Sequence, residues 1–232
     1  MDTRYIIGFI ADETPAVEAL YQRCLDCDMS PTFEGQSEAF TEIQVSDDLR
    51  TDEAIDDALA ELEAADRGTI SLWTNSGMKV ALKFRNVAPK NPLERGYGRV
   101  SISLQTPQFD PRHKDRSLCR TRVEELLDLV EQLTVLIDPI YVWSGTLEAV
   151  HDHQSMIPEG RPIVSHVDEL LWLTVMSPTV VEEFGGREHV LATPAWRVDE
   201  LDSGHVLLVL QDHPYDPAES IERSPEEHLL DS

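Results

Sequence analysis

The sequence predicts an α+β protein with a mixed, largely antiparallel sheet and helices packed on it. Strand-like and helix-like segments alternate at first, but three strand-like segments then follow one another without a helix between them. Turn-forming residues separate neighbouring strand candidates at residues 75–77 (Asn-Ser-Gly) and 202–204 (Asp-Ser-Gly). A doubly wound parallel sheet would instead alternate strand and helix throughout.

Residues 1–214 are expected to form a single α+β domain. Each half contains a helix beside an antiparallel hairpin, so residues 1–110 and 111–214 could also form two similar lobes. One continuous sheet and two small lobes both fit this pattern. Residues 215–232 are predicted to be an acidic, polar tail that frays.

The first two elements are a buried strand and an amphipathic helix. Residues 5–11 form a short apolar run rich in β-formers, which predicts the strand. Thr14 and Pro15 then occupy the N-cap and first position of a helix that Pro31 ends. Its apolar face consists of Val17, Leu20, Tyr21 and Cys24. An alternating stretch within residues 32–45 predicts another strand.

A second helix and three strands complete the first half. The helix begins at Thr51 and ends at Gly68, and its inward residues are Ile55, Leu59 and Leu62. Strand patterns follow at residues 69–74, 78–84 and 99–105. We expect the first two strands to pair as an antiparallel hairpin, because a short turn joins them.

The longest helix is predicted over residues 117–137. Opposite a row of acidic residues, its apolar stripe consists of Val123, Leu126, Leu127, Val130 and Leu133. Pro139 ends this helix, and a strand is predicted at residues 140–142. Residues 144–162 are then expected to form a long exposed connection.

Two short helices and a hairpin close the second half. The helices are predicted near residues 166–171 and 179–184, and the hairpin pairs residues 195–201 with 205–212. The glycine pair at residues 185–186 is typical of a helix C-cap, where glycine supplies the left-handed turn. The predicted core anchors of this half are Trp143, Trp172 and Trp196.

The chain is strongly acidic. It has 44 Asp and Glu against 19 Lys and Arg, a formal net charge of −25, and only four of the basic residues are lysines. This composition is typical of a salt-adapted organism, because at molar salt charge repulsion is screened beyond about 3 Å. Recognition of phosphates needs a basic stripe, so nucleic acid is not an expected partner.

Several functional classes lack their motifs. No apolar run is long enough to span a membrane, and the amino terminus does not resemble a secretory signal, so a cytoplasmic protein is expected. Neither a glycine-rich phosphate loop nor a serine-hydrolase elbow occurs. We therefore predict no catalytic residue and no cofactor.

Cys24 and Cys27 form a C-x-x-C motif. It falls at the C-terminal end of a predicted helix, where the helix dipole does not stabilise a thiolate. Cys119 is the only other cysteine, so a zinc ribbon would lack ligands. These cysteines are interpreted as core or incidental residues.

His151, Asp152 and His153 form the best candidate for a metal site. On a strand, residues two apart share a face, so both imidazoles could reach one ion. No further ligands occur at motif spacing, and an exposed loop explains the same residues. Together with His166, they would carry the alternative function, a metal-assisted hydrolase with a site assembled from scattered residues.

Residues 172–214 resemble a pattern in uncharacterised proteins related to bacterial polymorphic-toxin and type VI secretion immunity proteins. In that pattern a Trp-led segment is followed by a helix that ends in Phe or Leu and Gly, and a hairpin with a glycine turn follows. The matching residues are Phe184, Gly185, Leu191, Pro194, Glu200, Leu201, Gly204 and Pro214. The resemblance implies an α+β interaction protein and carries over no catalytic residue.

The first hypothesis is therefore a non-enzymatic protein-binding protein, immunity-like or regulatory. It would bind its partner through a surface that includes the helix at residues 179–187 and the turn at 202–204. The residues predicted to contact the protein partner are Glu183, Arg187, Asp202 and His205. A third interpretation is a structural module that forms a homodimer, which requires a second apolar stripe on the helix at residues 117–137.

Overall fold

The computed structural model of the protein describes residues 4–33, 36–37, 52–65, 67–85, 100–112, 114–146, 162–167, 170–214 and 224–230. Its strands are β1 (Arg4–Ile10), β2 (Thr32–Phe33), β3 (Gln36–Ser37), β4 (Arg67–Trp73), β5 (Lys79–Arg85), β6 (Val100–Gln105), β7 (Tyr141–Thr146), β8 (Leu173–Met176), β9 (Arg197–Glu200) and β10 (Val206–Val209). Its helices are α1 (Val17–Asp26), α2 (Asp52–Ala64), α3 (Arg116–Ile137), α4 (Pro178–Glu183), α5 (Arg187–Leu191) and α6 (Pro225–Leu229). Short 3-10 turns lie at Thr106–Gln108 and Ile163–His166.

Eight of these strands form one continuous sheet in the order β4-β5-β6-β1-β7-β8-β10-β9. Every neighbouring pair in it is antiparallel. The central strand β1 pairs with β6 on one side and β7 on the other, and so joins the two halves of the chain. The predicted α+β class with a largely antiparallel sheet is confirmed, and the two halves share one sheet.

One face of the sheet packs against α1, α2 and α3. Alternate strand residues such as Ile7, Phe9, Leu82 and Phe84 lie in this first core and are at most 1% exposed. The predicted stripe of α3 lies in the same core, with Val123, Leu126, Leu127, Val130 and Leu133 all buried. Burying each such side chain contributes about 1.5–3 kcal/mol to folding.

The opposite face carries a second core over β1, β7, β8 and β10. Ile6 of β1 points into it, because successive strand residues alternate between the faces. Trp143, Met176, Phe184 and Leu208 are among its most buried residues. Residues from α4, α5, α6 and the turn at Ile163–His166 supply the outer layer.

Close packing in the second core requires a glycine in β1. Gly8 pairs with Trp143 across the β1-β7 ladder, and Trp143 is completely buried. A Cβ added at Gly8 would lie 2.6 Å from two atoms of the indole ring. Only glycine leaves room for that ring against the strand.

The predicted N-cap of the first helix is wrong. α1 begins at Val17 after Ala16, whose side chain provides no cap. Glu63 of α2 accepts a hydrogen bond from the Val17 N–H at 2.6 Å, while the Thr14 hydroxyl donates to the Arg85 carbonyl at 2.5 Å. Because a carboxylate from another helix satisfies this helix terminus, the local cap is not used.

Gly68 does not end the second helix as predicted. α2 ends at Ala64, and Gly68 is the second residue of β4. A Cβ at Gly68 would lie 2.4 Å from the Phe84 ring and 2.7 Å from Leu62. The glycine is thus explained by packing between strand and helix, which the local sequence pattern does not reveal.

The sequence interpretation missed β8 and misplaced a helix. Among the described residues near 166–171, helical geometry occurs only in the turn that ends at His166, and Leu170 and Leu171 are not helical. All four residues of β8 are buried, so this strand shows no alternation of apolar and polar residues. α5 was also missed, and β7 extends to Thr146, into the predicted connection.

The hairpin predictions are confirmed. β4 pairs with β5 around the turn at Gly77, and β9 pairs with β10 around the turn at Gly204; both glycines have positive φ. In the expected strand at residues 32–45, only β2 and β3 lie among the described residues, and Phe40, Ile43 and Val45 lie outside them.

Part of the carboxyl-terminal tail is ordered, contrary to the prediction that it frays. α6 places Leu229 in the second core, where this side chain is 2% exposed. The rings of His189 and His228 stack with centroids 4.3 Å apart, and each Nε2 lies 2.9 Å from the other residue's carbonyl oxygen. The α6 segment is therefore bound to α5 by apolar and polar contacts.

Trp143 and Trp172 are core residues as predicted, whereas the prediction for Trp196 is wrong. Trp196 is 42% exposed, just before β9. On α3, the exposed positions are polar except for Val135, which is 50% exposed. The second apolar stripe required for dimerisation through this helix is therefore not present on α3.

Candidate binding face

The half of the sheet formed by β4, β5, β6 and β1 has a polar face opposite α1, α2 and α3. Alternation and pairing place one set of side chains on this face. We call it the basic face, and define it by Arg4, Arg67, Thr69, Ser71, Trp73, Lys79, Ala81, Lys83, Arg85, Ser101, Ser103 and Gln105. Among the described residues, no helix packs on it.

The charge of this face contrasts with that of the chain. The strands β1, β4, β5 and β6 contain five Lys and Arg residues and no Asp or Glu, although acidic residues outnumber basic ones by 44 to 19 overall. All five cations lie on the basic face: Arg4, Arg67, Lys79, Lys83 and Arg85.

The floor of the basic face consists of small side chains in rows. Lys83 lies between Thr69 and Ser101, and the next row consists of Ser71, Ala81 and Ser103. From strand spacing, four strands of this length cover about 14 Å by 20 Å. A shallow cavity of about 350 Å³ lies over this floor, and the described residues that line it include no Asp or Glu.

The lysine-bearing hairpin is held in place by α3 and the turn before it. The Gln108 carboxamide accepts a hydrogen bond from the Lys79 N–H at 2.6 Å and donates one to the Lys79 carbonyl at 3.2 Å. Arg122 donates to the carbonyls of Gln108 and Ser76, and Glu125 accepts from the Ser76 N–H and hydroxyl. The strand that carries both lysines is therefore fixed at its first residue.

Trp73 adds an aromatic group at the edge of the basic face. The Lys79 ammonium lies 5.6 Å from the centre of its ring, within the range of a cation–π interaction. This contact holds the lysine above the floor formed by its neighbours. The face thus combines positioned cations with the half-buried hydroxyls of Ser101 and Ser103, which can donate hydrogen bonds, whereas Thr69 and Ser71 are buried.

The residues predicted to bind a partner lie in different environments. Arg187 forms a bidentate ion pair with Glu200, whose pKa is lowered by the hydrogen bonds from this guanidinium. Glu183 accepts a hydrogen bond from the Val164 N–H at 3.2 Å, and Asp202 is exposed in the β9-β10 turn. Arg187 and Asp202 are therefore exposed to solvent, and Glu183 is half-buried.

His205 lies beneath this predicted surface and not on it. It is 1% exposed, with Nε2 at 2.8 Å from the Pro139 carbonyl and Nδ1 at 3.0 Å from the Ser203 hydroxyl. These contacts connect the β9-β10 turn to the end of α3. The His205 imidazole therefore links the β9-β10 turn to the loop that follows α3.

The candidate metal ligands His151, Asp152 and His153 lie outside the described residues. His166 is the last residue of the turn at Ile163–His166. Within the described ranges, no group of three or more His, Cys, Asp or Glu residues could hold a metal ion. A metal site at His151, Asp152 and His153 stays a prediction from the sequence.

The C-x-x-C motif lies at the C-terminal end of α1, as predicted. Cys24 is 1% exposed, and burial raises the pKa of its thiol to about 12. Burial also raises the pKa of the half-buried Cys27. Because neither thiol is activated as a thiolate at neutral pH, the motif does not have the properties of a redox site.

A second cavity of about 550 Å³ lies beside the beginning of α3. It is lined by Arg116, Ser117, Cys119, Arg120, Asp212 and His213. Burial raises the pKa of the Cys119 thiol, so the cavity does not present an activated nucleophile. The geometry of this cavity points to no particular reaction.

Sequence reasoning missed the basic face, although the sequence contains its signal. The sequence interpretation considered the acidic excess of the chain as a whole. The strands β1, β4, β5 and β6 contain no acidic residue, and two of the four lysines of the chain lie in β5. Comparing charge strand by strand would have revealed the face.

The fold and the basic face define an α+β protein with one positively charged sheet face. No protein-family model and no curated protein matches the sequence. Among solved structures, the chain is similar to the Pseudomonas aeruginosa T6SS protein PA0821, at 13% identity and a TM-score of 0.55, over 99% of this chain and 71% of that one. At this identity the likeness shows a shared fold.

Among the described residues, no helix is both long enough and apolar enough to cross a bilayer.

Proposed function

We propose that this chain is a non-enzymatic, immunity-like protein that binds one protein partner through the basic face. The observation that carries the proposal is the cluster of five cations on four neighbouring strands whose own sequences contain no Asp or Glu, in a chain with a net charge of −25. The fold shared with a T6SS protein is compatible with this class, since immunity proteins act by binding other proteins.

The chemistry of the basic face favours binding over catalysis. Serine and threonine hydroxyls are weak nucleophiles unless an adjacent base activates them. The strands that form the face contain no His, Asp or Glu to act as that base. Lysines and hydroxyls on a rigid sheet are instead suited to hold anionic groups of a partner.

The test compares partner capture by the wild-type chain and by a variant of the basic face. The tagged chain is purified from a lysate of the source cells at molar KCl, and bound proteins are identified by mass spectrometry. The variant carries Lys79→Glu and Lys83→Glu. We expect one stoichiometric partner with the wild type and its loss with the variant.

A charge-matched control separates the basic face from net charge. Lys114 and Arg120 are exposed on or just before α3, so Lys114→Glu with Arg120→Glu adds the same charge elsewhere. This control should retain the partner. Equal capture by all three proteins would show that the basic face is not the binding site. Equal loss of the partner in both variants would show that the net charge of the chain, and not the basic face, determines binding.

A second experiment tests the surface predicted from the sequence. Arg187→Glu with Asp202→Lys changes two exposed residues there. If capture depends on this pair and not on the lysines, the partner binds the α4-to-β10 surface instead.

A further inference from the structure

We infer that Ser203, in the β9-β10 turn, is a nucleophile that accepts an acyl group from a small activated ester, with His205 as the base that takes its proton. This inference goes beyond the proposed function and does not depend on it, because the transfer of one acyl group to each chain requires no turnover. It rests on the two ring contacts of a buried imidazole and on the exposure of the serine beside it.

The contacts of the His205 ring determine which nitrogen carries its hydrogen. Nε2 lies 2.8 Å from the Pro139 carbonyl oxygen, which can only accept a hydrogen bond, so Nε2 is the donor. In the neutral ring Nδ1 then has a free lone pair, and the Ser203 hydroxyl, 3.0 Å away, donates to it. The proton of this serine is therefore directed at a base, which is the arrangement that activates a serine as a nucleophile.

The surroundings of the ring support the imidazolium that forms when Nδ1 takes this proton. Burial opposes a charge on His205, which is 1% exposed. Three groups offset this effect: the Pro139 carbonyl, the Asp138 carboxylate with Oδ1 at 3.7 Å from Nε2, and the C-terminal end of the 22-residue α3, whose dipole favours a cation. Asp138 is therefore a positioning residue that acts on the serine through the ring.

The β9-β10 turn holds Ser203 and His205 in this geometry. The Leu201 N–H donates to the His205 carbonyl at 2.8 Å, and the Gly204 N–H donates to the Leu201 carbonyl at 2.8 Å. Gly204 has a φ of 79°, a conformation that favours glycine and lets the chain turn tightly here. Ser203 is exposed at this turn, so a donor from solvent can reach its hydroxyl, whereas the ring is shielded.

The acyl transfer balances with these groups alone. The Ser203 oxygen attacks the acyl carbon, the hydroxyl proton passes to Nδ1 of His205, and the bond between the acyl carbon and the leaving oxygen breaks. That oxygen departs with the proton from Nδ1 or, when it is a weak base, as an anion, and the ring then returns its proton to water. The product is an O-acyl serine. Ser203 lines neither of the two cavities described above, so the substrate class is a small ester with a good leaving group.

The test treats the full chain with p-nitrophenyl acetate at molar KCl and follows acetylation of each serine by peptide mass mapping. Ser165 is the matched control, because it is also exposed but its hydroxyl donates to the Pro162 carbonyl at 2.7 Å, which is not a base. We expect Ser203 to be acetylated at least about tenfold faster than Ser165, since a positioned base contributes about 10²–10⁴-fold in formed sites. Equal rates, or acetylation of the lysines alone, would overturn the inference.

Two variants connect the reactivity of Ser203 to the ring. His205→Gln, whose amide can still donate to the Pro139 carbonyl, should lower the rate at Ser203 to that at Ser165. An unchanged rate in this variant would exclude His205 as the base. Asp138→Asn changes a side chain that is 87% exposed and should lower the rate at Ser203 by about two- to fivefold, as expected for an exposed charge pair. An unchanged rate there would contradict the role inferred for Asp138.

A pH profile of the wild-type chain keeps the inference testable if His205→Gln fails to fold. The rate at Ser203 should rise with pH and then level off once the imidazole is neutral, because the base is then fully available. The rate at Ser165 should continue to rise in proportion to hydroxide. A Ser203 rate that also follows hydroxide over the whole range would show that no imidazole takes part, and would overturn the inference.

Discussion

The two halves of the sheet differ on the face that lies opposite α1, α2 and α3. Over β7, β8 and β10 this face is covered by α4, α5 and α6, and every residue of β8 and β10 is buried. Over β4, β5 and β6 the same face carries cations and hydroxyls, and β5 alternates between buried and half-buried residues. One sheet thus combines a half that helices cover with a half whose outer face is polar and basic.

This comparison shows how strand sequences report their surroundings. A strand that is covered on both faces needs apolar residues at every position and loses its alternation. A strand with one polar face keeps the alternation, and the identity of its polar residues can then serve a function.

The tryptophans of the two halves should differ most. Trp143 is completely buried in the second core, whereas Trp73 is half-buried at the basic face. We expect Trp143→Ala to lower the free energy of unfolding by about 3–5 kcal/mol, the usual cost of emptying a core site. Trp73→Ala should cost about 1 kcal/mol, close to the value of its cation–π contact. Urea denaturation measures both, and similar losses would contradict the distinction.

Substitution by alanine should separate the two faces in the same way. Gly8→Ala places a Cβ against the Trp143 ring and should cost about 1–3 kcal/mol through overpacking. Ser103 lies two residues from Gly8 in register, on the basic face, and Ser103→Ala should change stability by no more than about 0.5 kcal/mol. A tolerated Gly8→Ala would show that the second core can rearrange around the indole.

Salt dependence tests whether the cations serve stability. The melting temperature should fall as KCl is lowered from molar to millimolar, because carboxylate repulsion is no longer screened. Lys79→Glu with Lys83→Glu removes the cation–π contact of Lys79 with Trp73, so at low salt it should melt about 2–4 °C below the control pair at Lys114 and Arg120. The opposite order would mean that the lysines do not stabilise the fold, and a flat salt response would exclude salt adaptation.

The smallest effect is expected at the Arg187–Glu200 ion pair on the covered half. Hydrogen bonds from Arg187 lower the pKa of Glu200 from its ordinary value of 4.5, so the pair adds stability above that pH and loses it as the pH falls through the lowered value. Glu200→Gln should therefore leave the melting temperature at pH 7 unchanged, because exposed pairs contribute little. Below pH 4.5 its melting curve should depend less on pH.

A double-mutant cycle checks the assignment to this pair. Arg187→Gln should produce the same loss of pH dependence as Glu200→Gln, and the double variant should add nothing further. Additive effects would mean that each residue acts through other partners.

Much of the fold was predictable where the signals are local. The stripe of α3, the turns at Gly77 and Gly204, and the helix that starts after Ser177 all depend on residues within a few positions of one another. For the residues predicted to contact a partner, local patterns indicated the solvent exposure of some and not of others. Arg187 and Asp202 are exposed, but the burial of His205 depends on a carbonyl 66 positions away in the chain.

By itself, the sequence determined the α+β class, the hairpins and the long amphipathic helix, because periodicity, caps and turn residues act over one or two turns of chain. Only the tertiary structure decided that Glu63 replaces Thr14 at the start of α1, that β8 joins the sheet, and that the face bearing Lys79 and Lys83 carries no described helix. These features depend on contacts between residues far apart in the chain, and local propensity does not encode which distant surface covers a strand.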